Sequence, residues 1–141
     1  MIYTKNTRKA IIIAYNAHIN QKDRSGLPYI LHPIHLAEQM DTEEECIVAL
    51  LHDVVEDTEV TFKELEKDFS KTIIDALKLL THDKETDYFE YIEKIKSNPL
   101  AKKVKLADLK HNSDETRLEN ITEKDITRNK KYVKAIKILS K

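Results

Sequence analysis

His52 and Asp53 are adjacent, and Glu56 and Asp57 follow within one helical turn. The pattern of residues 43–57 predicts one helix, and on it these four side chains share an arc. Val48, Leu50, Leu51, Val54 and Val55 fill the opposite arc. No Lys or Arg interrupts the polar arc, although the chain carries 24 of them. An ordinary solvated face would mix the signs. Three carboxylates and an imidazole crowded together repel one another unless a positive charge sits among them, and a divalent cation meets that need. A lone His-Asp pair is common on protein surfaces, but the continuous run Leu50-Leu51-His52-Asp53-Val54-Val55-Glu56-Asp57-Thr58 is a longer signal than a dipeptide.

The elements that must position this arc all read as helices. Residues 5–19 predict a first helix with Ile11, Ile12, Tyr15 and Ile19 as its inward stripe. Asn20 to Gly26 is polar and ends in the only Gly, so it reads as a loop. Pro33 suits the first turn of a short helix through Met40. Thr42 with Glu45 has the form of a capping box opening the helix of 43–57, and Thr61 with Glu64 repeats it. Ser70 is a candidate cap for a helix to about Thr81, with Ile73, Ile74, Leu77 and Leu80 facing inward. Residues 85–97 predict another helix. Asn98-Pro99 opens one to about His111, and Thr122 with Asp125 starts the last, ending near Leu139. No stretch alternates as a half-buried strand should. The expectation is an all-α fold, with residues 1–141 as a compact single domain of short to medium helices.

Composition narrows the function. There are 24 Lys+Arg against 25 Asp+Glu, so no broad basic footprint for nucleic acid is expected. One cysteine, Cys46, excludes an internal disulfide and a CxxC metal site, and it fits a reducing compartment and a place in the core. The longest apolar run, Ala10 to Tyr15, is far short of the ~18 residues of a membrane span. Nothing resembles a signal peptide, so a cytoplasmic protein without membrane attachment is expected. Oligomeric state has no sequence signal. His18 and His35 read as structural histidines, and His82 as a helix-end residue.

Three segments carry a resemblance to a known family. They are Ser25-Gly26-Leu27-Pro28-Tyr29-Ile30-Leu31-His32-Pro33, then His52-Asp53-Val54-Val55-Glu56-Asp57-Thr58, then Lys105-Leu106-Ala107-Asp108 with His111-Asn112. In order and spacing they resemble the HD superfamily of metal-dependent phosphohydrolases, and within it the hydrolase domain of the Rel/Spo family. That family removes the 3′-pyrophosphate of (p)ppGpp. The resemblance implies four metal ligands, His32, His52, Asp53 and Asp108, and favours Mn²⁺. It implies a water-orienting and proton-handling pair in Glu56 and Asp57, one turn beyond the ligands on the same helix. It places Arg24, Ser25, Lys105 and Asn112 against the substrate, a phosphorylated nucleotide, and gives His111 a supporting part. Such an ion acidifies water and polarises a phosphoryl group.

The chain also departs from the family pattern. The usual Arg-Lys-Ser-Gly loop reads Asp23-Arg24-Ser25-Gly26, with Asp23 where a base-contacting Arg commonly stands. Residues 113–115 are altered on the sugar side. The expectation is intact metal chemistry with a changed guanosine pocket, and no alarmone synthesis. The alternatives are an HD phosphohydrolase acting on another nucleotide or phosphate ester, and a non-catalytic nucleotide-binding regulatory module.

Overall fold

In the computed structural model, which describes residues 1–141, the chain forms nine α-helices. They are α1 Lys5–Ala17, α2 Leu31–Glu38, α3 Glu43–Leu51, α4 Val54–Asp57, α5 Phe62–Glu66, α6 Lys71–Leu80, α7 Tyr88–Lys96, α8 Pro99–Asn112 and α9 Glu123–Leu139. A 3-10 turn spans Glu115–Arg117. A single isolated bridge, Lys22 to Pro28, is the nearest approach to β-structure, so the all-α expectation holds. No helix is long and apolar enough to cross a membrane.

Side-chain caps start most helices where the sequence places them. Thr42, Thr61, Asn98 and Thr122 each accept a backbone N–H from the first turn, and each such cap contributes about 1 kcal/mol. Thr122 and Asp125 close a full capping box. Glu45 does not close the box with Thr42, because its carboxylate is drawn to the Asp41 N–H and to Lys103. Ser70 makes no capping bond. Asp87 caps α7, which therefore starts three residues later than the predicted 85.

Helix α3 is the centre of the fold. After the acidic first turn Glu43–Glu45, which suits the positive end of the helix dipole, every residue from Cys46 to Leu51 is buried. A helix that is apolar all round must be covered on all sides. Helices α1, α2, α6 and α8 pack against it. Burial of each large side chain, such as Ile47 or Leu50, stabilises the fold by about 2 kcal/mol. Ile73, Ile74, Leu77 and Leu80 of α6 join this core as expected, and so does Cys46.

Two expectations fail here. The predicted helix over 43–57 breaks: α3 ends at Leu51, His52 is its C-cap, and Asp53 (φ −107°, ψ 0°) turns the chain into the separate helix α4. The His52 ring takes the Ala49 carbonyl at 2.7 Å, the group a continuing helix would pair with the Asp53 N–H. The break lets Val54 enter the core while Glu56 and Asp57 stay exposed. The single polar arc is thus replaced by two helix ends. The second failure is the stripe on α1. Ile12, Tyr15 and Ile19 are more than half exposed, and the buried face is Thr7, Ala10 and Ala14. Small residues let α1 approach α3 closely, and that contact outweighs the larger apolar stripe.

The loop between α1 and α2 is tied by Asp23, whose Oδ1 accepts the Ser25 and Leu27 N–H groups. Gly26 sits at φ +85°, where a side chain would strain the turn. This loop delivers the chain to His32.

Candidate metal centre

His32 is the second residue of α2, and it is 3% exposed because α3 and α8 close over it. His52 and Asp53 come from the α3–α4 break. Asp108 lies on the buried face of α8. His32, His52 and Asp53 each offer a ligand atom within 4.8 Å of the others. Asp108 Oδ1 lies 2.9 Å from His32 Nε2 and 3.6 Å from His52 Nε2. The fold therefore gathers all four sequence-identified ligand candidates into one place.

Each of the four has an outer partner. His52 Nδ1–H donates to the Ala49 carbonyl, which turns Nε2 into the cluster. That Nε2 is buried 3.1 Å from Asp53 Oδ2, yet it has no hydrogen-bond partner. His32 Nδ1 meets Nδ1 of His111 at 2.7 Å, and the two rings stack. The Tyr29 hydroxyl donates to Asp53 Oδ2. Lys105 Nζ and Asn112 Nδ2 donate to the two oxygens of Asp108, both at 2.9 Å. Lys105 and Asn112 sit at i−3 and i+4 from Asp108 on one helix face, so α8 supplies a ligand with its own supports.

The electrostatics ask for a cation. Burial pushes the His52 imidazole down, but the Asp53 and Asp108 carboxylates outweigh it and hold the group well above its usual range. Burial pushes Asp108 up, yet Lys105 and the two histidines hold it well below the usual carboxylate range. Burial also pushes Asp53 up, and His52 more than reverses this, to about 2. The Tyr29 phenol is pushed up by burial and by Asp53, so it stays a donor. An orphaned buried nitrogen beside two ionised carboxylates, with a second imidazole facing it, fits a divalent metal with mixed N/O ligands.

The other sequence-identified residues are placed differently from one another. Glu56 Oε1 accepts the His82 N–H at 2.6 Å, so this carboxylate is tied to the start of the 82–87 loop. Asp57 is only partly covered at the end of α4, and this partial desolvation, with Asp53 and Glu56 nearby, lifts its carboxyl to about 6. The two are not on the helix that carries His52, because of the break. His82 faces the Thr86 carbonyl, and His18 packs under Tyr29 with ring centroids 4.9 Å apart. His35 stacks on His111.

Beside the cluster lies a cavity of about 370 Å³, with Tyr29 and His32 on one side and residues of α9 on the other. Arg24 and Ser25 line it, as does Asn112. Ser25 Oγ donates to the Arg117 carbonyl at 2.8 Å. Arg24 pairs with Asp125. Lys105 does not reach this cavity and lies instead over the Tyr91 ring at 5.3 Å. Asp23 faces Arg117 at 3.9 Å, so a positive group reaches the Asp23 side from the 3-10 turn. As site residues, Tyr29, Asp125 and Arg128 escaped the sequence reading. Tyr29 had a signal in its place inside the segment 25–33, and Asp125 was read only as a capping partner of Thr122.

A helical bundle with two imidazoles and two carboxylates converging from α2, α3–α4 and α8 defines a class. Residues 10–111 match the family described as HD domain, and the chain belongs to it. Among curated relatives, it is 38% identical over 117 residues to the guanosine-3′,5′-bis(diphosphate) 3′-pyrophosphohydrolase MESH1 of Danio rerio, covering 74% of this chain and 65% of that protein. It is 40% identical over 77 residues to the bifunctional (p)ppGpp synthase/hydrolase SpoT of Escherichia coli K12, covering 52% of this chain. The chain spans 11% of SpoT's length. A solved structure, described as a metazoan ortholog of SpoT that hydrolyses ppGpp, superposes with a TM-score of 0.78 at 25% identity, covering 99% of this chain and 88% of that one.

Proposed function

We propose that the chain is a metal-dependent phosphohydrolase that releases pyrophosphate from the 3′ side of (p)ppGpp, with residues 1–141 acting as one hydrolase unit in the cytoplasm. The observation that carries this is the buried cluster of His32, His52, Asp53 and Asp108 with an unpartnered His52 Nε2, set beside a cavity of nucleotide size. The printed activities of MESH1 and SpoT support the same reading. These four residues would hold a divalent ion, and their mixed N/O set together with the family resemblance favours Mn²⁺ over an all-oxygen Mg²⁺ site. The ion supplies Lewis acidity toward a phosphoryl oxygen and acidifies water.

The rest falls to the chain's own groups. Tyr29, Ala49, His111, Lys105 and Asn112 fix the ligands in place through their outer atoms. Asp57 handles the proton at its carboxylate, and Glu56, anchored by the His82 N–H, orients water. Ser25 and Arg24 present the loop to the nucleotide. The products are GDP or GTP and pyrophosphate. Asp23 in the cavity wall favours a second reading, the same chemistry on a different nucleotide.

The test is a product assay with ppGpp in the presence of Mn²⁺ and in excess chelator. Metal-dependent release of GDP and pyrophosphate is expected. Absence of release from protein shown by elemental analysis to hold the metal would reject (p)ppGpp and send the search to other phosphorylated nucleotides.

A further inference from the structure

The cavity wall made by α9 carries a buried carboxylate, Asp125, whose side chain is 2% exposed. Its two oxygens do different work. Oδ2 accepts the Thr122 N–H at 2.9 Å and the Thr122 hydroxyl at 3.0 Å, closing the cap of α9. Oδ1 faces two guanidiniums, Arg24 from the loop before α2 and Arg128 one turn along α9, the latter at 3.4 Å. Both arginines keep part of their surface open, 48% and 37%.

The charge balance of the cavity makes this arrangement unusual. Four basic side chains, Lys22, Arg24, Arg117 and Arg128, line it against four carboxylates, so it has no general basic field. Asp23 answers Arg117, Asp114 is turned to Thr116, and Glu115 is turned to Asn129. Asp125, with one oxygen spent on a helix cap, must answer two full positive charges. At the Arg24–Arg128 pair two positive charges thus face one carboxylate, and guanidiniums are suited to binding phosphate. Tyr132, one turn beyond Arg128, lines the same cavity.

We propose that Arg24 and Arg128, positioned by Asp125, form a second anion subsite. It takes the phosphate or diphosphate at the end of a nucleotide remote from the bond that is broken. This rests on the phosphohydrolase reading of the metal cluster, since His32 and the arginine pair line one cavity and so hold two ends of one ligand. The ligand class is a nucleotide bearing a 5′-phosphate chain as well as the group presented to the metal. Asp125 is a positioning residue, because it reaches the ligand only through the arginines.

The test uses Mn²⁺-loaded full-length protein, titrated calorimetrically with guanosine and with GDP. These probes differ only in the 5′-diphosphate. GDP is expected to bind at least about tenfold tighter than guanosine, the scale of one charge-assisted contact. Arg128→Gln and Arg24→Gln should each remove most of that advantage, read as the ratio of GDP to guanosine affinity within each variant. Both side chains are part-exposed, and a melting curve on each variant verifies the fold. The proposal is overturned if GDP keeps its advantage in both variants, because the diphosphate is then at the metal. It is also overturned if GDP binds no tighter than guanosine to the wild type. Turnover of ppGpp on the same preparation judges the hydrolase reading separately. An arginine-dependent GDP advantage without turnover upholds the subsite and removes the substrate, and turnover with an arginine-independent advantage does the reverse.

Discussion

The candidate metal cluster and the cavity beside it are built in opposite ways. His32, His52 and Asp108 are all under 5% exposed and stand on helices that bury their neighbours, with outer partners already in place. Arg24, Arg117 and Arg128 are each more than a quarter exposed and stand on a loop, a 3-10 turn and the rim of α9. The cluster is fixed by the close packing of the core around it. The cavity wall is a set of side-chain pairings across segments far apart in sequence, and it can change while the core stays the same. On the proposed function, chemistry and selectivity are therefore carried by different parts of the fold.

The sharpest way to break this contrast is His52→Ala. It removes a proposed ligand and opens a hole at the end of α3, and activity should fall by more than about 100-fold, beyond what the loss of an outer partner costs. A variant that stays folded by circular dichroism and keeps near-wild-type turnover would sink the assignment of the cluster. Tyr29→Phe is a smaller intervention. It deletes the hydroxyl on Asp53 and keeps the ring over His18, so metal affinity should weaken by about 10- to 100-fold with little change in the melting temperature. Isothermal titration with Mn²⁺ measures this, and an unchanged affinity would show that Asp53 is oriented without Tyr29.

The smallest effect concerns Asp57, at the edge of the cluster. Its folded-state pKa is lifted to about 6 from 3.8, chiefly by burial and then by Asp53 and Glu56. A raised carboxyl binds protons more tightly folded than unfolded, so metal-free protein loses stability as pH rises through this window. Asp57→Asn removes the penalty. It should stabilise the metal-free protein by roughly 1 kcal/mol at pH 7, a figure discounted for solvent screening, and by nothing near pH 4. Urea denaturation at the two pH values reads the difference, and added Mn²⁺ should shrink the gain, because a nearby cation relieves the repulsion. Equal effects at both pH values would remove the electrostatic origin.

The same contrast explains what could be read from the sequence. His32, His52, Asp53 and Asp108 were legible because each sits in a contiguous segment of fixed spacing, and the core helices that carry them have strong patterns. Lys105 and Asn112 were singled out by the resemblance as substrate contacts, whereas their bonds to Asp108 were not legible. The break at His52–Asp53 was hidden, since Val54 and Val55 continue a helical pattern that only the Ala49 carbonyl interrupts. The inward stripe on α1 was misread because hydrophobicity ranks Ile12 above Ala10, whereas close approach to α3 prefers Ala10. Asp125 was legible only as the capping partner of Thr122, and Arg128 not at all, since their place in the cavity appears only when Arg24 arrives from a hundred positions away in the chain.

The two buried alanines of α1 set a depth gauge for the whole molecule. Ala10 and Ala14 bring α1 against α3, and His18, one turn further along, is thereby lodged beneath Tyr29, whose hydroxyl rests on Asp53. A larger residue at Ala14 would lift the end of α1 like a shim under a hinge, and the displacement would run through the His18 and Tyr29 rings to the Asp53 carboxylate.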